Sequence, residues 1–123
     1  MIAGTVTGDR EIVIPLDVFS GHQLSVSIAA VVDTGFNGYL TLPLQTLNEL
    51  EAVSAGTRRA ELGDGNIVEM DVYLVNVKWR AAEREVLALR SEATPLIGMA
   101  MLWGSRVAFD AKKGGAVSID AIP

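Results

Sequence analysis

Cysteine is absent from the 123 residues. That removes disulfides, thiolate metal ligands and a catalytic thiol together. Histidine occurs once, at His22, so a single chain cannot assemble a multi-histidine metal site. His22 alone would have to serve any Ser/His triad, and its place in a turn-like stretch marks it as a solvated turn residue. Basic residues are outnumbered, 10 against 15 acidic, which leaves a net charge of −5, and aromatics are only 6%. Such a chain has no electrostatic reason to hold nucleic acid or an anionic membrane. Long hydrophobic runs are missing too. The longest, Ile28 to Val32, is far short of the roughly 20 residues of a membrane helix. The start, Met1 to Val6, lacks a basic region followed by an apolar stretch, so it is not expected to act as a signal peptide. A soluble, cytoplasmic protein is expected.

What is present is apolar and periodic. Half the residues are hydrophobic and 20% are charged, a balance that suits a packed domain rather than disorder. No linker or low-complexity tract divides the chain, so residues 1–123 read as one domain. The dominant period is two, the signature of strands. Ile12, Ile14, Leu16 and Val18 alternate with Val13, Pro15 and Asp17, and Leu24, Val26, Ile28, Ala30 and Val32 alternate likewise. With Ser20-Gly21-His22-Gln23 between them, residues 11–32 predict a hairpin. Pro15 predicts an edge position or a bulge. A second hairpin is predicted from Arg58–Leu62 through Gly63-Asp64-Gly65-Asn66 to a return arm of Ile67 to about Trp79. On that arm Val68, Met70, Val72 and Leu74 form one face.

Arg80 to Glu83 then predicts a turn, and Val86 to Leu89 a short strand. Val107–Phe109 and Ala116–Ile119 predict two more strands, separated by Lys112-Lys113-Gly114-Gly115. Helical signal is scarce. Leu44, Leu47 and Leu50 share one helical face after Pro43, and Met99 to Trp103 could make one more turn. Trp79 and Trp103 read as packing residues. Arg58-Arg59 reads as a solvated strand edge. Short strands spaced by Gly turns indicate an all-β barrel or sandwich.

One segment carries candidate chemistry. Ala29-Ala30-Val31-Val32 is an apolar strand that delivers Asp33 to its end, then turns on Thr34-Gly35. Burial there would make a carboxylate costlier to ionise. Gly35 would let the backbone pass close to a neighbour. Taken alone, Asp-Thr-Gly is also an ordinary capped turn.

Three ordered elements resemble the retropepsin-like aspartic proteases, in particular the small bacterial single-domain members. Val31 to Leu40, with Asp33-Thr34-Gly35 inside it, looks like the catalytic loop and its following strand. Leu62-Gly63-Asp64-Gly65-Asn66 looks like a flap tip. Pro95 to Leu102 looks like the apolar-apolar-Gly segment and short helix, and Gly115 to Ile119 like the terminal strand. The resemblance implies an all-β, single-domain closed barrel with a flap hairpin and one short C-terminal helix, completed as a homodimer. It implies hydrolysis of a polypeptide substrate with Asp33, Thr34 and Gly35 as the catalytic set. Gly63, Asp64 and Gly65 would close over substrate, and neither cofactor nor metal would be needed. Thr34 would bond the partner chain's backbone, and Gly35 N–H would bond the carboxylate.

That chemistry needs two carboxyl groups, one ionised to take a proton from water and one protonated to polarise the carbonyl. Only one Asp-Thr-Gly occurs, and Asp9, Asp64, Asp71 and Asp110 lack its setting. The pair must then come from two copies of the chain, on a two-fold axis. Two departures stand out. Phe36 replaces the Ser, Thr or Ala common in relatives, and Ala100 replaces Asp or Asn. Loss of a hydroxyl at 36 implies a pH optimum nearer neutral than that of pepsin, and Ala100 implies a weaker contact near the axis. The alternative is a non-catalytic dimerisation or peptide-binding module on the same fold.

Overall fold

The computed structural model describes residues 1–21, 23–61 and 63–123. His22, expected in a turn, and Leu62, expected at the end of the flap's outward arm, lie outside the described residues. The protein is mostly β-sheet. In chain order the elements are β1 (Ile2–Val6), β2 (Ile12–Phe19), β3 (Ser25–Val32), β4 (Leu40–Leu42), α1 (Leu44–Glu49), β5 (Val53–Glu61), β6 (Ile67–Trp79), β7 (Ala82–Arg90), β8 (Leu96–Ile97), α2 (Met99–Leu102), β9 (Ser105–Phe109) and β10 (Ala116–Ala121). The strands form one sheet in the order β5-β6-β7-β4-β8-β3-β2-β1-β10-β9. β2 also pairs with β6 through Val18↔Val77 and Phe19↔Asn76, which joins two strands that stand apart in that order.

Alternation explains the core. On β2, Ile14, Leu16 and Val18 are buried while Pro15 and Asp17 are exposed. Val117 and Ile119 of β10 and Val75, Val77 and Trp79 of β6 bury the same way. Each buried aliphatic side chain stabilises the fold by about 1.5–3 kcal/mol. α1 is amphipathic, and Leu47 together with the capping Leu50 closes one end of this core. Among the described residues no helix is long and apolar enough to cross a membrane.

Several expectations need correction. Pro15 is not at a bulge, since it pairs with Ala29 in unbroken register, but it does hold a local edge position. It is tolerated because β1 pairs with β2 only as far as Val13 and the pairing with β6 begins at Val18, so among the described residues 14–17 have no ladder partner on that side. The second hairpin's outward arm starts at Val53, five residues before the predicted start at Arg58. A bulge between Ser54 and Thr57, with Gly56 at φ +92°, erases the alternation there. The turn after β6 is only Arg80-Ala81, so β7 begins at Ala82 rather than near Val86. β1 was not anticipated as a strand. Trp79 packs as expected, being 1% exposed, but Trp103 is 77% exposed. Trp103 follows α2 at its C-cap, where the helix has already turned its buried pair, Met101 and Leu102, inward.

Candidate active site

Asp33 follows β3, whose last residues Val31 and Val32 pair in parallel with Leu96 and Ile97 of β8. β8 lies between β3 and β4, since Ile97 also pairs with Leu40. The carboxylate therefore emerges from the most constrained part of the sheet. Its own N–H donates to Ile97 O at 2.9 Å. Asp33 Oδ1 accepts the Gly35 N–H at 2.9 Å, and Asp33 O accepts the Phe36 N–H at 3.2 Å. The side chain is half-buried; Thr34 and Gly35 are exposed. A Cβ on Gly35 would press on Asp33 Oδ1 at 3.2 Å, so glycine keeps the turn tight.

The loop is clamped from below. Three successive N–H groups, of Gly98, Met99 and Ala100, donate to the carbonyl oxygens of Tyr39, Phe36 and Gly38 at 3.1, 2.8 and 3.2 Å. A Cβ on Gly98 would meet the carbonyls of Gly38 and Phe36 and the Phe36 ring, so backbone contact replaces a side chain. The Phe36 ring lies across both Gly38 and Gly98. Arg84 of β7 braces the same region. Its guanidinium sits 5.8 Å from the Tyr39 ring centroid, and Nη1 donates to Met101 O at 3.2 Å.

Beside the loop is a cavity of about 440 Å³. Gly35 to Tyr39 and Ala100 form one side, Leu87 and Leu89 of β7 the floor, and Arg58 to Glu61 of β5 the opposite wall. Register explains which side chains face it. Directly paired residues share a face. Arg58↔Met70 and Ala60↔Val68 place Arg58 and Ala60 with Val68 and Met70. Val72↔Leu89 and Leu74↔Leu87 carry that face onto β7. The opposite face holds Val75, Val77, Val86 and Ala88, all in the core. β6 thus buries one face low and the other face high. The predicted apolar face, Val68 to Leu74, shares the sheet face of the cavity-lining Leu87 and Leu89, and on it only Val72 is fully buried.

The structure brings Gly35 to the cavity, with Asp33 bonded to it. Gly63, Asp64 and Gly65 stand apart at the exposed hairpin tip, where Asp64 Oδ1 accepts the Asn66 N–H at 3.0 Å and Oδ2 accepts Asn66 Nδ2 at 2.8 Å. None of the three lines the cavity; the arm above it, Arg58 to Glu61, does. Sequence reasoning missed Arg58, Arg84, Leu87 and Leu89. The signal for Arg58 was a cation on an otherwise apolar strand face, visible only once its pairing with Met70 is known. Among the described residues no group of three His, Asp or Glu side chains could hold a metal ion. No family model, curated protein or solved structure matches this chain.

Proposed function

We propose that the chain is a retropepsin-like aspartic endopeptidase, active as a homodimer whose two Asp33 side chains, one from each copy, activate a water against a peptide bond. The observation that carries this reading is the seat of Asp33. It sits at the end of β3, held by Gly35 N–H, on a loop clamped by Gly98 to Ala100 and beside a cavity roofed by the β5–β6 hairpin. The β2–β6 pairing supports the expected barrel.

In the proposed mechanism the two carboxyl groups, about 3 Å apart, share one proton, as carboxylate pairs in aspartic proteases do. The ionised one removes a proton from water as the water oxygen bonds the scissile carbonyl carbon. The protonated one donates to the carbonyl oxygen. Collapse of the tetrahedral species breaks the C–N bond, and the amine leaves with a proton returned from the pair. Gly35 N–H holds Asp33 in place before substrate arrives, which is preorganisation. Thr34, exposed on the loop, is the proposed link to the partner's backbone. The hairpin is the proposed lid, with Gly63, Asp64 and Gly65 at its tip.

The test is cleavage of unstructured peptides from pH 3 to 8 by wild type and by Asp33→Asn, with oligomeric state followed in parallel. Wild type should cut, with an optimum nearer neutrality than about pH 2–3, because position 36 offers no hydroxyl to the ionised carboxylate. Asp33→Asn should cut at a rate lower by at least about a thousandfold while remaining dimeric. A clearly dimeric wild type that cuts nothing makes the non-catalytic peptide-binding module the better account. The Phe36 side chain, committed to covering two glycines rather than supporting a carboxylate, is the observation that favours that second reading.

A further inference from the structure

The cavity beside Asp33 is built from two unlike halves. Its floor is apolar, from Leu87 and Leu89, with Phe36 and Tyr39 on the loop side. Arg58, exposed on β5, also lines the cavity, on a sheet face that it shares with Ala60, Val68, Met70, Val72 and Leu74. By register the neighbouring charges of the hairpin lie on the opposite face, although Arg59 and Glu61 also border the cavity. Arg59 pairs with Glu69, and Glu61 and Asp71 alternate with them outward. Arg58 pairs with Met70, and the two ion pairs among the described residues both belong to Arg90. An unpaired guanidinium over an apolar floor is an arrangement that recognises a carboxylate next to a hydrophobic side chain, because guanidinium binds carboxylate through charge-assisted hydrogen bonds.

We propose that Arg58 is a specificity residue and that the cavity selects peptides carrying a carboxylate adjacent to an aliphatic or aromatic residue. This rests on the reading of the cavity as a peptide site, and it holds whether or not the peptide is cut. An extended peptide alternates its side chains, so one residue fills the apolar floor while its neighbour turns toward the hairpin and Arg58. Asp33, bonded to Gly35 of the cavity lining, disfavours a carboxylate beside the loop and leaves Arg58 as its partner. The overall charge of −5 opposes acidic ligands in general, which makes Arg58, the cation on the apolar face, the local exception that sets position. The carboxylate could be a Glu or Asp side chain or a free C-terminus.

The experiment reads binding of fluorescein-labelled octapeptides by anisotropy to the full chain bearing Asp33→Asn, which keeps the peptides whole. One set places Glu, Gln or Lys on either side of a central Leu. A second set ends in Leu as a free acid or an amide. Arg58→Gln and Arg59→Gln are made in the same background, and thermal melts check that each is folded. The Glu peptide should bind about tenfold tighter than the Gln peptide and tighter still than Lys. Arg58→Gln should abolish the difference, while Arg59→Gln leaves it, and raised salt should shrink it. A preference for free acid over amide, with none for Glu over Gln, assigns the carboxylate to a chain terminus. Equal binding of Glu, Gln, acid and amide, a preference that survives Arg58→Gln, or no binding of any peptide overturns the proposal. Peptides bound by charge but left uncut by wild type would instead sink the hydrolase reading alone.

Discussion

The two tryptophans show how little a residue's identity says about its surroundings. Trp79 ends β6 inside the core at 1% exposure, whereas Trp103, the C-cap of α2, is 77% exposed. Both look like packing residues in sequence, because nothing local distinguishes an aromatic at the end of a core strand from one that follows a single helical turn. The energetic difference is large. Trp79→Ala should cost about 3–5 kcal/mol, since it removes a fully enclosed side chain and leaves a cavity. Trp103→Ala should fall within about 0.5 kcal/mol, as for other surface changes. Urea denaturation of dilute protein reads both. A Trp103 cost comparable to that of Trp79 would mean that another surface covers this side chain in solution. The same limit applies at Gly98 and Gly38. Their sequence neighbours suggest a loop, but only the arrangement of Phe36 over both explains why a side chain is excluded.

At the scale of elements, most strands were legible, but what covers each face was not. β2 and β3 follow their alternation because one face meets the core and the other meets solvent along most of their length. β6 also alternates, yet its burial changes phase near Tyr73 and Leu74, because the upper half faces the cavity and the lower half the core. Hydrophobic pattern reports that a face is covered, not what covers it. The turn after β6 was placed at Arg80 but drawn two residues too long, since it has no glycine to mark it. The β6–β7 connection is a two-residue loop flanked by Trp79↔Ala82, with φ of 50° at Arg80 and 65° at Ala81. Positive φ at both positions is the geometry that Asn-Gly usually supplies. Holding alanine there costs about 1–2 kcal/mol. Ala81→Gly should therefore stabilise the protein by about 0.5–1 kcal/mol, the relief of strain exceeding glycine's larger unfolded-state entropy. A melting temperature raised by a few degrees is the expected reading, and a lowered one would show that the loop does not hold this conformation in solution.

For the whole molecule, the candidate site was legible in part: Asp33 and its loop from the order of motifs, but not the cavity, whose walls come from β5, β7 and α2 and meet only through long-range pairing. The proposed function adds a demand that no single chain can meet, a second carboxylate facing the first. Association must overcome charge. Each copy carries −5, and the two Asp33 loops would approach one another at the axis. Ala100, which donates its N–H to Gly38 O, contributes no polar side chain that could offset this repulsion. Repulsion between like-charged bodies is screened as the Debye length contracts, from about 30 Å at 0.01 M salt to about 8 Å at 0.15 M. Dimerisation should then strengthen with salt over that range, by roughly tenfold in the association constant, since a change of about 1.4 kcal/mol in repulsion suffices. Sedimentation velocity across a concentration series at the two salt levels measures it. Peptide cleavage per chain should rise along the same curve as the dimer fraction. Activity that stays constant on dilution into the monomer range would mean that one chain supplies the whole catalytic apparatus, and the paired-carboxylate mechanism would have to be abandoned.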